Sequence, residues 1–212
     1  MPLIGDHAPE FHAMTTQGKI DFPADYKGSW VVLFSHPADF TPVCTTEFIA
    51  LSRMNETFES LNTKLIGLSI DSLHSHLGWI KSIEALNFNN EGKVKIPFPI
   101  IADISMNVAR KYGMLQTVAN TQTVRAVFII DPEGMIRTIL YYPMSTGRNI
   151  PEIIRILQSL QLNDKTHYST PANWQPGVMG APLTIEEAQE RLESSDNTIE
   201  HLDWYLTMKK MK

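Results

Sequence analysis

Cysteine is almost missing from this chain: its 212 residues include one, Cys44. No disulfide can close within the chain, which excludes a disulfide scaffold and a Cys-x-x-Cys redox pair. Long apolar runs are missing as well. The longest are five or six residues, as at 30–34, against the roughly 20 that a membrane-crossing helix needs. Positive charge is not in surplus. Lys and Arg total 18 against 23 Asp and Glu, a net charge of -5, so there is no electrostatic footprint for nucleic acid. The first residues, Met1 to Asp6, show no basic stretch leading into an apolar one. A secretory signal is therefore not expected, and a reducing cytoplasm is the expected compartment. His74 and His76 are two apart with no third ligand near. They read as loop and helix-start residues, and neither a metal nor another cofactor is expected. No internal repeat or low-complexity tract interrupts the chain.

What is present is a chain with 43% hydrophobic residues, enough to bury a core without staples. Short β-branched runs at 30–34, 64–70, 98–102, 126–130 and 136–141 read as strands. Helical spacing covers 42–61, 73–86, 106–112 and 151–160. Asp131-Pro132-Glu133-Gly134 is a turn signal, so the last two strands form a hairpin. This alternation predicts an α/β fold with a mixed central sheet. Beyond residue 162 the character changes. Residues 166–182 are rich in Pro, Gly, Ser, Thr and Asn and read as an extended loop. A helix then starts at 183–188, with Thr184 as cap and Glu187 in capping-box position. Trp174 and Trp204 are too apolar to leave wholly in water.

Cys44 stands where the strand at 30–34 hands over to the helix beginning near Pro42. With Thr41 as N-cap, Pro42 falls at N1 and Cys44 at N3. Unpaired N–H groups and the positive end of the helix dipole then face the sulfur, an environment that lowers a thiol pKa. A lone cysteine is also commonly a small buried hydrophobe. The flanking Thr41, Thr45, Thr46 and Glu47 do not form an apolar face, and local chemistry leaves both readings open.

The run Pro37-x-x-x-Thr41-x-x-Cys44 resembles the active-site motif of peroxiredoxins. The wider run from Ser35 to Glu47 is similar to the 1-Cys, peroxiredoxin 6-like branch with its bacterial and archaeal members. Further matching segments follow in order. They are Gly5-Asp6-x-Ala8-Pro9-x-Phe11, Arg125 opening a strand, Tyr142-Pro143 before Thr146-Gly147-Arg148-Asn149, and Pro171-Ala172-Asn173-Trp174 before Pro176-Gly177. The resemblance spans residues 3 to 190. It implies a thioredoxin-like peroxidase domain at 3–162 and a C-terminal extension at 163–212 that contacts a dimer partner. It also implies reduction of hydrogen peroxide and alkyl hydroperoxides through a sulfenic acid on Cys44. With no second cysteine to resolve that acid, an external thiol or other small reductant must recycle it, a disulfide between two Cys44 residues being the remaining self-resolving option. Homodimers are implied, with a ring of five dimers as a further assembly.

The resemblance also distributes roles. Arg125 would contact sulfur and peroxide, although position alone reads it as a surface arginine at a strand end. Thr41 would accept from the peroxide and donate to the sulfur, besides capping the helix. Pro37 would shield the thiolate, and Arg148 is a second cation for the substrate. His36 would orient the thiolate or a reductant, or serve as a structural histidine. Glu47 would hold Arg125 or Arg148 in place, or simply suit the helix dipole.

In the lipase-like stretch of mammalian relatives this chain departs from the pattern. Ser29 is present, but Pro23 stands where the histidine would be and Glu133 where the aspartate would be, so no phospholipase activity is expected. A dithiol reductase would need cysteine at position 41. A cysteine phosphatase would need arginine at position 50, where Ala50 stands, and His36 is badly spaced for a papain-like base. The remaining rival is a holdase or redox-signalling module in which turnover is incidental.

Overall fold

The computed structural model describes residues 1–115, 122–177, 181–182, 184–192, 198–203 and 206–209. Trp204 and Leu183 lie outside the described residues. The chain divides into two compact units, Met1–Ile150 and Pro151–Lys212.

The first unit opens with a hairpin of β1 (Phe11–Thr15) and β2 (Gly18–Phe22). Then follow β3 (Trp30–Ser35), α1 (Pro42–Arg53), α2 (Asn55–Ser60), β4 (Thr63–Ser69), α3 (Leu73–Ala85), β5 (Ile100–Ala102) and α4 (Asn107–Tyr112). A second hairpin, β6 (Arg125–Ile130) and β7 (Ile136–Tyr142), completes a seven-stranded sheet of order β2-β1-β5-β4-β3-β6-β7. Strands β3, β4 and β5 run parallel, and β6 runs antiparallel to β3. The sheet is therefore mixed. Every residue of β3 and of β6 is buried, which is why both read as continuous apolar runs rather than alternating ones.

Several boundaries differ from those the pattern predicts. The helix expected over 42–61 is broken at Met54 (φ -96°, ψ 7°) into α1 and α2. Phe58 remains fully buried across the break, so apolar spacing does not register it. The hairpin of β1 and β2 has no clear signature, because its buried apolar residues stand at its ends. Phe11 and Phe22 stack there at 4.9 Å. Its turn is closed by Thr15, whose hydroxyl donates to the Gly18 carbonyl at 2.7 Å. Between β6 and β7 the predicted turn is present: Asp131 Oδ1 accepts from the N–H groups of Glu133 and Met135.

The second unit carries α5 (Ile150–Thr166), whose first residue closes the first unit. The helix outruns the predicted 151–160 because its last turns are polar and carry no apolar period. The stretch read as a loop over 166–182 contains two short paired strands, β8 (Tyr168–Ser169) and β9 (Ala181–Pro182). In α6 (Ile185–Leu192) the capping box forms reciprocally. The Glu187 N–H donates to Thr184 Oγ1 and the Thr184 N–H to Glu187 Oε2, both at 3.1 Å. A hairpin of β10 (Ile199–Asp203) and β11 (Leu206–Lys209) follows. Among the described residues, no helix is long and apolar enough to cross a membrane.

Candidate active site

Cys44 occupies N3 of α1, behind Thr41 as N-cap in extended conformation (φ -110°, ψ 148°) and Pro42 at N1. Its side chain is fully buried. The helix starts here for the expected reasons: proline tolerates N1, and the residue before it is driven extended. The Thr41 hydroxyl departs from expectation. It makes no capping bond and donates to the Ala38 carbonyl at 2.9 Å instead of to the sulfur. Its oxygen lone pairs are left to accept.

Arg125, the first residue of β6, is buried. Its Nη1 lies 3.3 Å from Cys44 Sγ and 2.8 Å from Glu47 Oε2. Nε and Nη2 both donate to the Met144 carbonyl, at 3.0 and 2.8 Å. The guanidinium thus spans the sulfur, a carboxylate and the loop after β7. It is not the surface arginine that position alone suggests.

Glu47, one turn beyond Cys44, holds both arginines. Besides Arg125, it accepts from Arg148 Nε at 3.1 Å and Nη2 at 2.7 Å, and from the Arg148 backbone N–H at 2.8 Å. Arg148 Nη1 donates to the carbonyls of Ser35 and Ala126, and its guanidinium lies 5.1 Å from the Phe34 ring centroid. With its side chain wholly enclosed and every guanidinium nitrogen donating to protein, Arg148 has no reach to a substrate. Its placement supports Glu47 rather than the direct substrate contact expected of it. Two guanidinium charges against one carboxylate leave a surplus positive charge in this buried cluster, and the sulfur is beside it.

Ser35 ties the strands that carry these groups. Its hydroxyl donates to the Val124 carbonyl at 2.7 Å and accepts from the Ala126 N–H at 3.2 Å. Pro37 is buried just beyond β3. Sequence reading missed Ser35 and the Met144 carbonyl, since neither residue type advertises such a role.

His36 belongs to a second buried cluster. Its Nε2 donates to Asp39 Oδ1 at 2.9 Å, and His76 Nδ1 meets Asp39 Oδ2 at 2.8 Å. His76 Nε2 donates to the Ile101 carbonyl at 3.2 Å. The His36 ring packs 4.9 Å from Phe48 and 5.0 Å from Trp79, centroid to centroid, and its Nδ1 meets no partner among the described residues. Burial pushes the His36 imidazole down from its ordinary value, against the pull of Asp39. Burial alone would raise the Asp39 carboxyl, but the hydrogen bonds from His36 and His76 outweigh it and hold the group well below the usual carboxylate range. His76 lies near the start of α3, where helix-start placement was expected, and it is fully buried there. Its hydrogen-bond partners are Asp39, 37 positions back, and the Ile101 carbonyl, 25 positions ahead. One donor atom each from His36, Asp39 and His76 lies within 4.8 Å of the others, and hydrogen bonds already join them.

Ser29, Pro23 and Glu133 line one cleft with His7. The nearest partner of the Ser29 hydroxyl is Asn62 Oδ1, at 3.5 Å.

Residues 4–139 match the model of the AhpC/TSA family. A peroxiredoxin from Methanosarcina mazei is 57% identical, over 99% of this chain and 98% of its own length. One from Aquifex aeolicus is 46% identical, over 100% and 98%. Among solved structures, yeast mitochondrial 1-Cys peroxiredoxin, described with thiol resolution through glutathione/thioredoxin systems, superposes with a TM-score of 0.89. It is 39% identical over the full length of both chains. A cysteine-to-serine variant of peroxiredoxin 6 from Arenicola marina gives a TM-score of 0.85 at 35% identity, over 99% of this chain and 98% of that one.

Proposed function

The chain belongs to the AhpC/TSA family as a peroxiredoxin of the 1-Cys type, and from that membership we propose how its own residues carry out the reaction. It is a thiol-dependent peroxidase, acting on peroxides at the expense of thiol reductants. In our reading Cys44, as thiolate, attacks the terminal oxygen of the peroxide. The S–O bond forms as the O–O bond breaks, leaving a sulfenic acid on Cys44. Alkoxide or hydroxide departs and takes up a proton to become alcohol or water.

The observation that carries this reading is Arg125 Nη1 within reach of both Cys44 Sγ and Glu47. A guanidinium stays charged and donates in several directions at once. Fixed beside the sulfur, it balances the thiolate and then follows the negative charge toward the leaving oxygen. Preorganised charge of this kind acts most strongly where water is excluded. Thr41 offers lone pairs that orient the peroxide O–H. Pro37 keeps water from the sulfur. Glu47 aims Arg125, and Arg148 and Ser35 aim Glu47 in turn. His36 is assigned to structural support of this wall, with no proton-transfer role.

The same proposal includes hydrogen peroxide and alkyl hydroperoxides as substrates, an external thiol as reductant and the cytoplasm as location. It also includes a homodimer contacted by residues 163–212, with rings of five dimers as the higher assembly. Sedimentation velocity checks the assembly: a purely monomeric species at micromolar concentration would refute it. For the chemistry, the test is stopped-flow oxidation by hydrogen peroxide followed by reduction with dithiothreitol. Cys44→Ser should abolish turnover. Arg125→Ala should slow oxidation by on the order of 10²-fold, as for loss of one preorganised stabiliser. Wild-type oxidation rates in Arg125→Ala would remove Arg125 from the mechanism.

A further inference from the structure

The turn between β3 and α1 is held to the end of β4 through a single peptide unit. The register of β3 and β4 pairs Ser35 with Leu68, and the His36 N–H still reaches the Leu68 carbonyl at 2.9 Å. Beyond that point a side chain takes over. The Asp39 N–H donates to Asp71 Oδ2 at 3.1 Å, and the Ala38 carbonyl accepts from the Thr41 hydroxyl at 2.9 Å. That N–H and that carbonyl belong to one peptide bond, which is planar, so turning one turns the other. Asp71 is itself fixed by Ser69, the fully buried last residue of β4. The Ser69 hydroxyl donates to Asp71 Oδ2 at 2.7 Å and accepts from the Asp71 N–H at 3.0 Å.

The side chain of Asp39 anchors the same stretch of backbone. It is buried, accepts from His36 Nε2 and faces His76 Nδ1. These bonds set where the backbone at 38–39 lies, while Asp71 sets how its peptide plane is turned. The consequence falls on Thr41. A hydroxyl has one proton and two lone pairs. With that proton directed at the Ala38 carbonyl, the Thr41 oxygen presents only lone pairs to a peroxide. With the carbonyl turned away, the hydroxyl is free to rotate and to offer its proton instead. Thr41 makes no side-chain capping bond to α1, so the helix does not orient the hydroxyl.

We propose that Asp71 is a positioning residue for the peroxidase reaction, turning the 38–39 peptide so that the Thr41 hydroxyl meets the peroxide as an acceptor. The inference rests on the peroxidase reading and adds to it a residue from outside the cysteine-bearing run, in the turn between β4 and α3. Asp71 acts through its partners, the Ser69 hydroxyl and the Asp39 N–H, rather than at the sulfur. Its carboxylate also acts through charge. Accepting from the N–H end of the amide, it polarises the C=O end, and hydrogen bonds in a chain strengthen one another. The Ala38 carbonyl becomes a better acceptor, and the Thr41 oxygen a better one in turn.

The test is a double-mutant cycle on the second-order rate constant of Cys44 oxidation by hydrogen peroxide, followed by stopped flow. Thr41→Val removes the hydroxyl and keeps the branched shape. Asp71→Ala should slow oxidation by on the order of tenfold, within the roughly 10²-fold that a 1 Å misplacement can cost. Acting through Thr41, it should slow the Thr41→Val protein no further, whereas independent effects multiply. Asp71→Asn, which keeps an acceptor oxygen, should recover most of the loss. Alkylation of Cys44 by iodoacetamide needs no hydroxyl acceptor and should be as fast in Asp71→Ala as in the wild type. Losses that multiply, a wild-type oxidation rate in Asp71→Ala, or an equal fall in alkylation overturns the proposal. Where urea unfolding shows Asp71→Ala unfolded, Ser69→Ala takes its place in the cycle with the same expected pattern. Slow oxidation of the wild type itself overturns instead the peroxidase reading beneath the proposal.

Discussion

Asp39 shows how much a single buried side chain sets the behaviour of its surroundings. Its carboxylate accepts from His36 on one side and faces His76 on the other. Both Asp39 and His36 titrate below their ordinary values in the fold. In each case the unfolded chain binds more protons as pH falls, so acid favours unfolding. The His36 contribution is complete above its unfolded value of about 6.5, and the Asp39 contribution above about 3.9. Each is lost as pH drops below those points. The urea midpoint should therefore be level between about pH 7 and about pH 9 and decline from roughly pH 6.5 downward. His36→Gln should remove the upper part of that decline. A midpoint that stays level from pH 7 to 5 in the wild type would contradict the assignment. At this scale the sequence was legible only where a motif carried the residue. Cys44, Thr41, Pro37 and Arg125 stand in or beside a recognisable pattern. Asp39 stands in the same run, but its partnership with His76 was not legible there, because it depends on α3 folding back over the turn after β3.

Elements explain why such distant residues meet. β3 delivers Ser35, His36 and Pro37, α1 delivers Cys44 and Glu47 on neighbouring turns, and β6 delivers Arg125 as its first residue. Register between β3 and β6 runs from Val31↔Ile130 to Phe34↔Val127, so Ser35 joins the strands where the ladder stops. Ser35→Ala should leave the buried Ala126 N–H and the half-buried Val124 carbonyl without that partner, at a cost of about 1–3 kcal/mol. Urea unfolding should show the loss as a lower midpoint with unchanged slope. Slower oxidation of Cys44 should accompany it, since Arg125 lies between the two orphaned groups. Unchanged stability would mean that the hydroxyl bonds are not what registers β6. The core strands and the main helices were readable because continuous apolar runs and 3.6-residue periods report burial directly. The break at Met54, the polar end of α5 and the hairpin of β1 and β2 were not. In each, hydrogen bonds to backbone or one or two end residues set the geometry without altering the apolar pattern.

For the whole molecule, the scarcity noted at the outset becomes a property of the catalytic cycle. With Cys44 the one cysteine in 212 residues, its sulfenic acid cannot be resolved within the chain. Without added thiol, excess hydrogen peroxide should carry Cys44 onward to sulfinic acid. Intact mass should show the gain of two oxygens, prevented when dithiothreitol is present throughout. A stable single-oxygen product under the same excess would show that the fold shields the acid by itself. On our proposal the folded protein activates Cys44 and the peroxide together through Arg125, Glu47 and Thr41. The most direct measurement is the rate of Cys44 oxidation by stoichiometric hydrogen peroxide, native against urea-unfolded, read by intact mass. Native oxidation should be faster by orders of magnitude. Equal rates would mean that Cys44 is an ordinary thiol and that the buried charge cluster serves only the fold.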